Sequence, residues 1–173
     1  VYRQYDHEVQ TNTVLKPGQA DAGLLRIRGS TKGIAVTVDG NGRNTYLEPC
    51  IGGAQAVAEA CRNLVCIGAT PIAITDCLNF GNPERSEVYY QLKECIEGMA
   101  EACRFLNVPV ISGNVSLYNE GQKQSIYPTP VVGAVGLLEN IDLRVNAGFV
   151  AEEDLVFLLG NYLDLPETIL AGS

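Results

Sequence analysis

The 173-residue sequence contains a single histidine, His7, and no two cysteines in C-x-x-C spacing. One histidine makes a Ser-His triad improbable, and no serine lies in a G-x-S-x-G elbow. The six cysteines, Cys50, Cys61, Cys66, Cys77, Cys95 and Cys103, lack the spacing and the histidine partners of a zinc site. They read instead as reduced, buried thiols acting as small hydrophobes. No apolar run approaches the ~20 residues needed to span a bilayer. The first six residues lack the basic-then-apolar pattern of a signal peptide. The chain therefore reads as soluble and cytoplasmic, with no membrane partner. Neither G-x-x-x-x-G-K-S/T nor a strand-linked G-x-G-x-x-G is present, which argues against P-loop and Rossmann binders. Basic charge is short as well. Twelve Lys and Arg stand against twenty Asp and Glu, for a formal net charge of −8, which argues against nucleic acid as a partner. It leaves a nucleotide open, because backbone N–H groups and a bridging Mg²⁺ can hold phosphate.

Hydrophobic residues make up 46% of the chain and charged residues 18%, a globular composition with material for one filled domain. Residues 1–20 are polar and weakly patterned, and read as an extended segment. Two strand-like runs, 23–28 and 33–38, flank the turn-forming Gly29-Ser30-Thr31-Lys32 and suggest a hairpin. Apolar steps of three and four predict a helix over 53–67, buried through Ala56, Val57, Ala60, Cys61, Leu64 and Val65 and stopped by Gly68. A short strand over 71–75 delivers Asp76 at its end. Asn82 as N-cap and Pro83 at N1 predict a second helix running to about Leu106, with Val88, Leu92, Cys95, Ile96, Met99, Cys103 and Leu106 inside. A strand from Pro109 breaks at Ser112-Gly113-Asn114, residues 115–118 alternate again, and 130–138 form a long strand. The apolar run 155–160 reads as the start of a further unit. The domain is placed at 21–148, with 149–173 as the truncated opening of a following domain. The fold class is α+β: a mixed sheet with two main helices on one face. Two helices cover one face only, so the other face is expected to pair with a second sheet into a barrel-like dimer or pseudodimer.

Three segments combine glycine with oxygen-bearing side chains and are read as loops at strand ends: Asp39-Gly40-Asn41-Gly42-Arg43, residues 76–82, and Ser112-Gly113-Asn114-Val115-Ser116. Glycine lets a backbone approach phosphate, and Asp and Asn offer hard oxygens to Mg²⁺. Each segment alone is also what an ordinary turn looks like. His7 reads as a surface or packing residue. Tyr118, Tyr127 and the Tyr89-Tyr90 pair read as packing residues. Glu94, Glu97 and Glu101 form a solvated helix face.

At these segments the sequence resembles a known family. Tyr5-Asp6-His7 with Gln10-Thr11-Asn12, then Asp39-Gly40-Asn41-Gly42-Arg43, Gly68-Ala69-Thr70-Pro71, the block Thr75-Asp76-Cys77-Leu78-Asn79-Phe80-Gly81-Asn82-Pro83-Glu84 and the block Ser112-Gly113-Asn114-Val115-Ser116-Leu117-Tyr118-Asn119-Glu120 are similar to phosphoribosylformylglycinamidine synthase subunit II. The resemblance covers nearly the whole chain and falls in the second of that family's two repeated halves. It implies an ATP-dependent carbon–nitrogen ligase of purine biosynthesis. Such an enzyme takes formylglycinamide ribonucleotide, ATP and glutamine-derived ammonia to formylglycinamidine ribonucleotide, with glutaminase and small accessory subunits as partners. It implies ATP and Mg²⁺ as cofactors, Asp76 and Gly113 as ATP contacts, Asn114 as a metal ligand and Ser116 as a substrate contact. A second nucleotide site is assigned to Asp39, Asn41 and Arg43. The family's catalytic histidines lie in the other half, so no catalytic residue is expected here and the chain alone is expected to be inactive, with a homodimer substituting for the missing half. Two alternatives stay open: a non-catalytic half with a vestigial nucleotide site, and another ATP-dependent synthetase or kinase of the same superfamily, which includes aminoimidazole ribonucleotide synthetase.

Overall fold

The computed structural model describes residues 12–16, 18–122 and 124–157. The first motif up to Thr11, with His7, lies outside the described residues, as do 158–173. Six strands form one mixed sheet in the order β1-β2-β3-β6-β4-β5: β1 Thr13–Leu15, β2 Gly23–Arg26, β3 Gly33–Asp39, β4 Thr70–Asn79, β5 Val110–Ser116 and β6 Thr129–Leu138. Neighbours are antiparallel except β4 and β5. The helices are α1 Gly42–Leu47, α2 Pro49–Cys66 and α3 Ser86–Leu106, with a 3₁₀ turn at Ile141–Leu143.

The predicted hairpin is present as β2–β3, with Leu24 opposite Ala35 and Leu25 opposite Ile34. Gly29 takes φ 77° in its turn. β1 had no counterpart in the sequence reading. Three residues carry too little pattern to show, yet Leu15 is buried against the core. α2 begins at Pro49, four residues before the predicted start, because Pro fits the first turn of a helix. It ends at Gly68 as expected, where φ is 91° and Ala69 N–H bonds to the Leu64 carbonyl. Its buried stripe is Ala56, Val57, Ala60, Cys61 and Leu64; Val65 faces solvent instead.

α3 begins at Ser86 and not at Asn82. The Asn82 side chain accepts from Glu84 N–H at 2.8 Å and its carbonyl from Arg85 N–H at 3.2 Å, so Asn82 closes a turn before the helix. Asn107 ends α3 in the left-handed conformation, φ 55°. Ile96 and Leu106 of the predicted inner stripe are exposed, and Gly98 is buried in their place. The reason is the α2–α3 crossing. A Cβ on Gly98 would overlap the Cys50 carbonyl, and one on Gly53 the Cys95 carbonyl, so the two backbones meet at glycines.

α2 lies across β3, β6 and β4, and α3 packs along α2. On β6, Pro130, Val132, Ala134, Gly136 and Leu138 are buried toward the helices, and the intervening residues face the other way. The helix-free face carries Leu25, Ile34, Val36 and Val38 on β2 and β3, all exposed. The mixed sheet with helices on one side is thus as predicted. Three expectations are corrected. Cys66 is exposed, and Cys50 and Cys77 are partly so; all six thiols are free. Tyr89, Tyr90, Tyr118 and Tyr127 are each more than half exposed and do not pack into the core. Leu155, Val156 and Phe157 are exposed and adopt no regular structure, so the described part of that run is not a strand.

Candidate functional site

Two of the three predicted loops are strand interiors. β4 continues through Asp76 to Asn79, and β5 continues through Gly113 and Asn114 to Ser116. Glycine and asparagine in the middle of β5 suggested a break, but pairing with β4 supplies the backbone hydrogen bonds that hold the segment extended. In this parallel pair Thr75 stands beside Ser112, Asp76 beside Gly113, Cys77 beside Asn114, and Asn79 beside Ser116.

Alternation then sorts the side chains. Ile74 and Leu78 are buried toward the helices, and Asp76 shares their side. Thr75, Cys77 and Asn79, with Ser112, Asn114 and Ser116, stand on the helix-free side as a two-row polar ladder. Ser112 Oγ donates to Thr75 Oγ1 at 2.8 Å. Asn114 Nδ2 lies 3.9 Å from Cys77 Sγ, which turns the amide nitrogen inward and leaves Oδ1 without a protein partner among the described residues. Asn79 Nδ2 donates to the Thr129 carbonyl at 3.2 Å, anchoring the ladder to β6. Ser116 Oγ meets the Asn119 amide, 3.2 Å from its Oδ1.

Asp76 and Gly113 are brought into contact, but on the opposite side of the sheet from Asn114 and Ser116. A Cβ on Gly113 would lie 2.5 Å from Asp76 Oδ1, so the carboxylate occupies the space that glycine leaves. Burial pushes the Asp76 carboxyl above its ordinary value. Burial, then Cys50 and Asp76, push the Cys95 thiol up to about 12. Burial and Asp76 also raise Cys103. Asp76 faces the helix layer that carries these α3 thiols, and protonated thiols there are poor nucleophiles.

The Asp39 to Arg43 segment is a strand end running into α1. Asp39 Oδ1 accepts from Gly40 N–H at 2.6 Å, and Oδ2 accepts from Asn63 Nδ2 of α2 at 3.1 Å. Asn41 is the N-cap of α1, its side chain accepting from the N–H groups of Arg43 and Asn44. Arg43 is exposed in the first turn. Asp39 pairs with Val132, which pairs on its other side with Asp76. The two aspartates therefore share one row on the helix side, two strand spacings or ~10 Å apart. The structure does not bring Asp39 or Asn41 to Asn114 and Ser116, and their side-chain oxygens are engaged in local structure.

Sequence reasoning passed over Thr75, Cys77, Ser112 and Asn119. The signal for the first three was present as the period-two series Thr75-x-Cys77-x-Asn79 and Ser112-x-Asn114-x-Ser116, concealed by reading Gly113 as a turn. Among the described residues no group of three or more His, Cys, Asp or Glu is placed to hold a metal ion. The ladder side offers only neutral oxygens, among them the Asn114 and Asn79 Oδ1 atoms, a donor type compatible with a Mg²⁺ whose other ligands are phosphate oxygens and water.

The chain is similar to several proteins of known sequence and structure. The phosphoribosylformylglycinamidine synthase subunit PurL of Moorella thermoacetica is 59% identical over 160 residues, which cover 92% of this chain and 22% of that protein. The PurLQS structure from Thermotoga maritima matches with a TM-score of 0.76 at 37% identity, over 83% of this chain and 24% of that chain. T. maritima PurL complexed with ATP matches with a TM-score of 0.71 at 36% identity, over 82% and 23%. The same protein has been solved complexed with FGAR, and matches at 0.71 and 38% over 82% and 23%. The resemblance read from the sequence motifs is thereby borne out, and the chain spans about a fifth of the length of the relatives it matches. The family model described as AIR synthase related protein, N-terminal domain, matches residues 19–138, and the chain belongs to that family.

Proposed function

We propose that this chain is the ATP- and Mg²⁺-binding domain of a formylglycinamidine ribonucleotide synthase, working within a longer enzyme of purine biosynthesis. The observation that carries the reading is the polar ladder. A parallel strand pair presents Thr75, Cys77, Asn79, Ser112, Asn114 and Ser116 side by side on a sheet face that no helix covers. Relatives complexed with ATP and with FGAR support the ligand classes. In this reading Asn114 Oδ1 is a neutral ligand to Mg²⁺, which when bound neutralises charge on the phosphates of ATP. Ser116 contacts the ribonucleotide substrate. Asp76 and Gly113 act from the other side of the same strands, where the absent Cβ lets the carboxylate seat against the β5 backbone. The apolar part of the open face, on β2 and β3, meets a second sheet. That sheet comes from a homologous half, or from a second copy in a homodimer. The domain is assigned to residues 21–148, the location to the cytoplasm, and glutaminase and small accessory subunits to the larger assembly.

A second reading is favoured by one observation. Asp76 and Asn114 project to opposite faces, and Asp39 and Asn41 are committed to α2 and α1. A half whose nucleotide site has decayed to a structural role would show this dispersal.

Calorimetric titration of ATP into the chain, with and without Mg²⁺, separates the two. Binding that needs Mg²⁺ and weakens about tenfold in Asn114→Leu, with no change in melting temperature, supports the first reading. Leucine keeps the size and removes the oxygen. Binding indifferent to both Mg²⁺ and Asn114 assigns the ladder a structural role.

A further inference from the structure

We infer that Asn119 positions the Ser116 hydroxyl toward the ligand, by gripping it with its amide and tying together the ends of the two strands that carry the ladder. The inference rests on the reading of Ser116 as a substrate contact. The chain leaves β5 through Leu117 and reverses at Tyr118, which takes φ 59°, a left-handed conformation uncommon outside glycine. The Tyr118 N–H donates to the Gly81 carbonyl at 2.9 Å, and this fixes the reversal. The turn brings the half-buried Asn119 amide back onto the residue three positions earlier. Asn119 Nδ2 donates to the Ser116 carbonyl at 2.8 Å and to the Phe80 carbonyl at 2.9 Å. Phe80 follows β4 and Ser116 ends β5, so one side chain bridges both strand ends. Backbone bonds reinforce the bridge: Phe80 N–H to the Ser116 carbonyl at 3.0 Å, and Asn119 N–H to the Phe80 carbonyl at 3.1 Å.

The same nitrogen also stands 3.1 Å from Ser116 Oγ, so its two protons are shared among two carbonyls and the hydroxyl, and the amide meets the hydroxyl through both Nδ2 and Oδ1. Ser116 Oγ lies 3.2 Å from Oδ1 and donates. With its proton on Oδ1 and one lone pair facing Nδ2, the hydroxyl keeps one lone pair for a ligand N–H or O–H, which a formamide- and ribose-bearing substrate supplies. Asparagine is required because aspartate of the same shape would set oxygen against two carbonyl oxygens. Asn119 itself touches no ligand in this arrangement. It is a positioning residue.

The test is steady-state kinetics of the full synthase carrying this domain, with FGAR varied at saturating ATP and then the reverse. Asn119→Asp is expected to raise KM for FGAR about tenfold and leave KM for ATP within about twofold. In a Ser116→Ala background the same change is expected to add less than about twofold, since both substitutions remove one contact. Asn119→Ala, which loses the donors without adding charge, should behave alike, and melting temperatures of all variants are measured alongside. FGAR KM unchanged in both Asn119 variants, or an effect that adds in full to Ser116→Ala, overturns the positioning role. Loss of the fold in both variants also counts against it, because a purely positioning amide is dispensable to the core. A silent Ser116→Ala removes the substrate reading and the role of Asn119 with it. A strong Ser116→Ala beside silent Asn119 variants overturns the positioning role alone.

Discussion

Asp76 is held partly buried beneath α3, with its carboxylate against the Cα of Gly113 and no charged partner among the groups that shift it. Burial raises its folded-state value above the ordinary 3.8. Between those two values the folded state binds more protons than the unfolded one, so stability falls as pH rises through that window. Above it the ionised carboxylate costs a constant amount. Asp76→Asn keeps the shape and removes the charge. Its melting temperature is therefore expected to exceed that of the unsubstituted chain at pH 7, with the gain fading as pH falls from the raised folded-state value toward the ordinary 3.8 and gone below it. Thermal melts of both proteins from pH 3 to pH 7 check this; no advantage at pH 7 would mean that the carboxylate is solvated, and an advantage independent of pH would mean that the gain does not come from its ionisation. Glu120 behaves in the opposite sense. Hydrogen bonds from Asn82 N–H and Ser125 Oγ hold its carboxyl below the usual range, so its contribution is lost only as acid protonates it. Residue identities in the ladder were legible in sequence; their facing was not. Asp76 and Asn114 both read as oxygen donors near glycine, and only the β4–β5 register sends them to opposite sides.

At the scale of elements, the α2–α3 crossing decides more than either helix's own pattern. Hydrophobic periodicity located both helices and their C-terminal stops, since Gly68 and Asn107 each take a left-handed conformation there. It misassigned Val65, Ile96 and Leu106, because a helix that packs through glycines turns a different strip inward. The crossing gives a direct prediction. Gly98→Ala gains about 1 kcal/mol of helix propensity, but its Cβ would overlap the Cys50 backbone, which cannot move aside as a side chain can. Overpacking costs about 1–3 kcal/mol or more, so a net loss is expected, read as a fall in melting temperature of ~3–10 °C. Gly148→Ala, with nothing within 4 Å of the added carbon, is the control and should melt unchanged. A Gly98→Ala chain as stable as the control would show that α2 and α3 slide apart without penalty.

The whole molecule presents two unlike halves on its helix-free face. Leu25, Ile34, Val36 and Val38 form an apolar half on β2 and β3, and the β4–β5 ladder forms a polar half. Exposed apolar patches of this kind mark contact surfaces, and a two-fold pairing is the commonest closure. The chain alone is expected to dimerise through the apolar half. Sedimentation across a dilution series should give twice the chain mass at high micromolar concentration. Val36→Lys should shift it to a single chain with melting changed by only a few degrees, since Val36 is outside the core. A monomer at every concentration, or a dimer untouched by Val36→Lys, would place the contact elsewhere. Among the described residues no helix is long and apolar enough to cross a membrane.

By itself the sequence determined the helices, the β2–β3 hairpin, the long β6 strand and the α+β class, because period and turn chemistry are local properties that side chains display in order along the chain. Its motif blocks also determined the family. Tertiary structure alone decided that Gly113 and Asn114 are strand and not loop, that β6 inserts between β3 and β4, and that Asp39 and Asn41 are spent on α2 and α1. Those facts depend on hydrogen bonds between residues tens of positions apart. A backbone that local preference would release into a turn stays extended when a neighbouring strand satisfies its N–H and C=O groups.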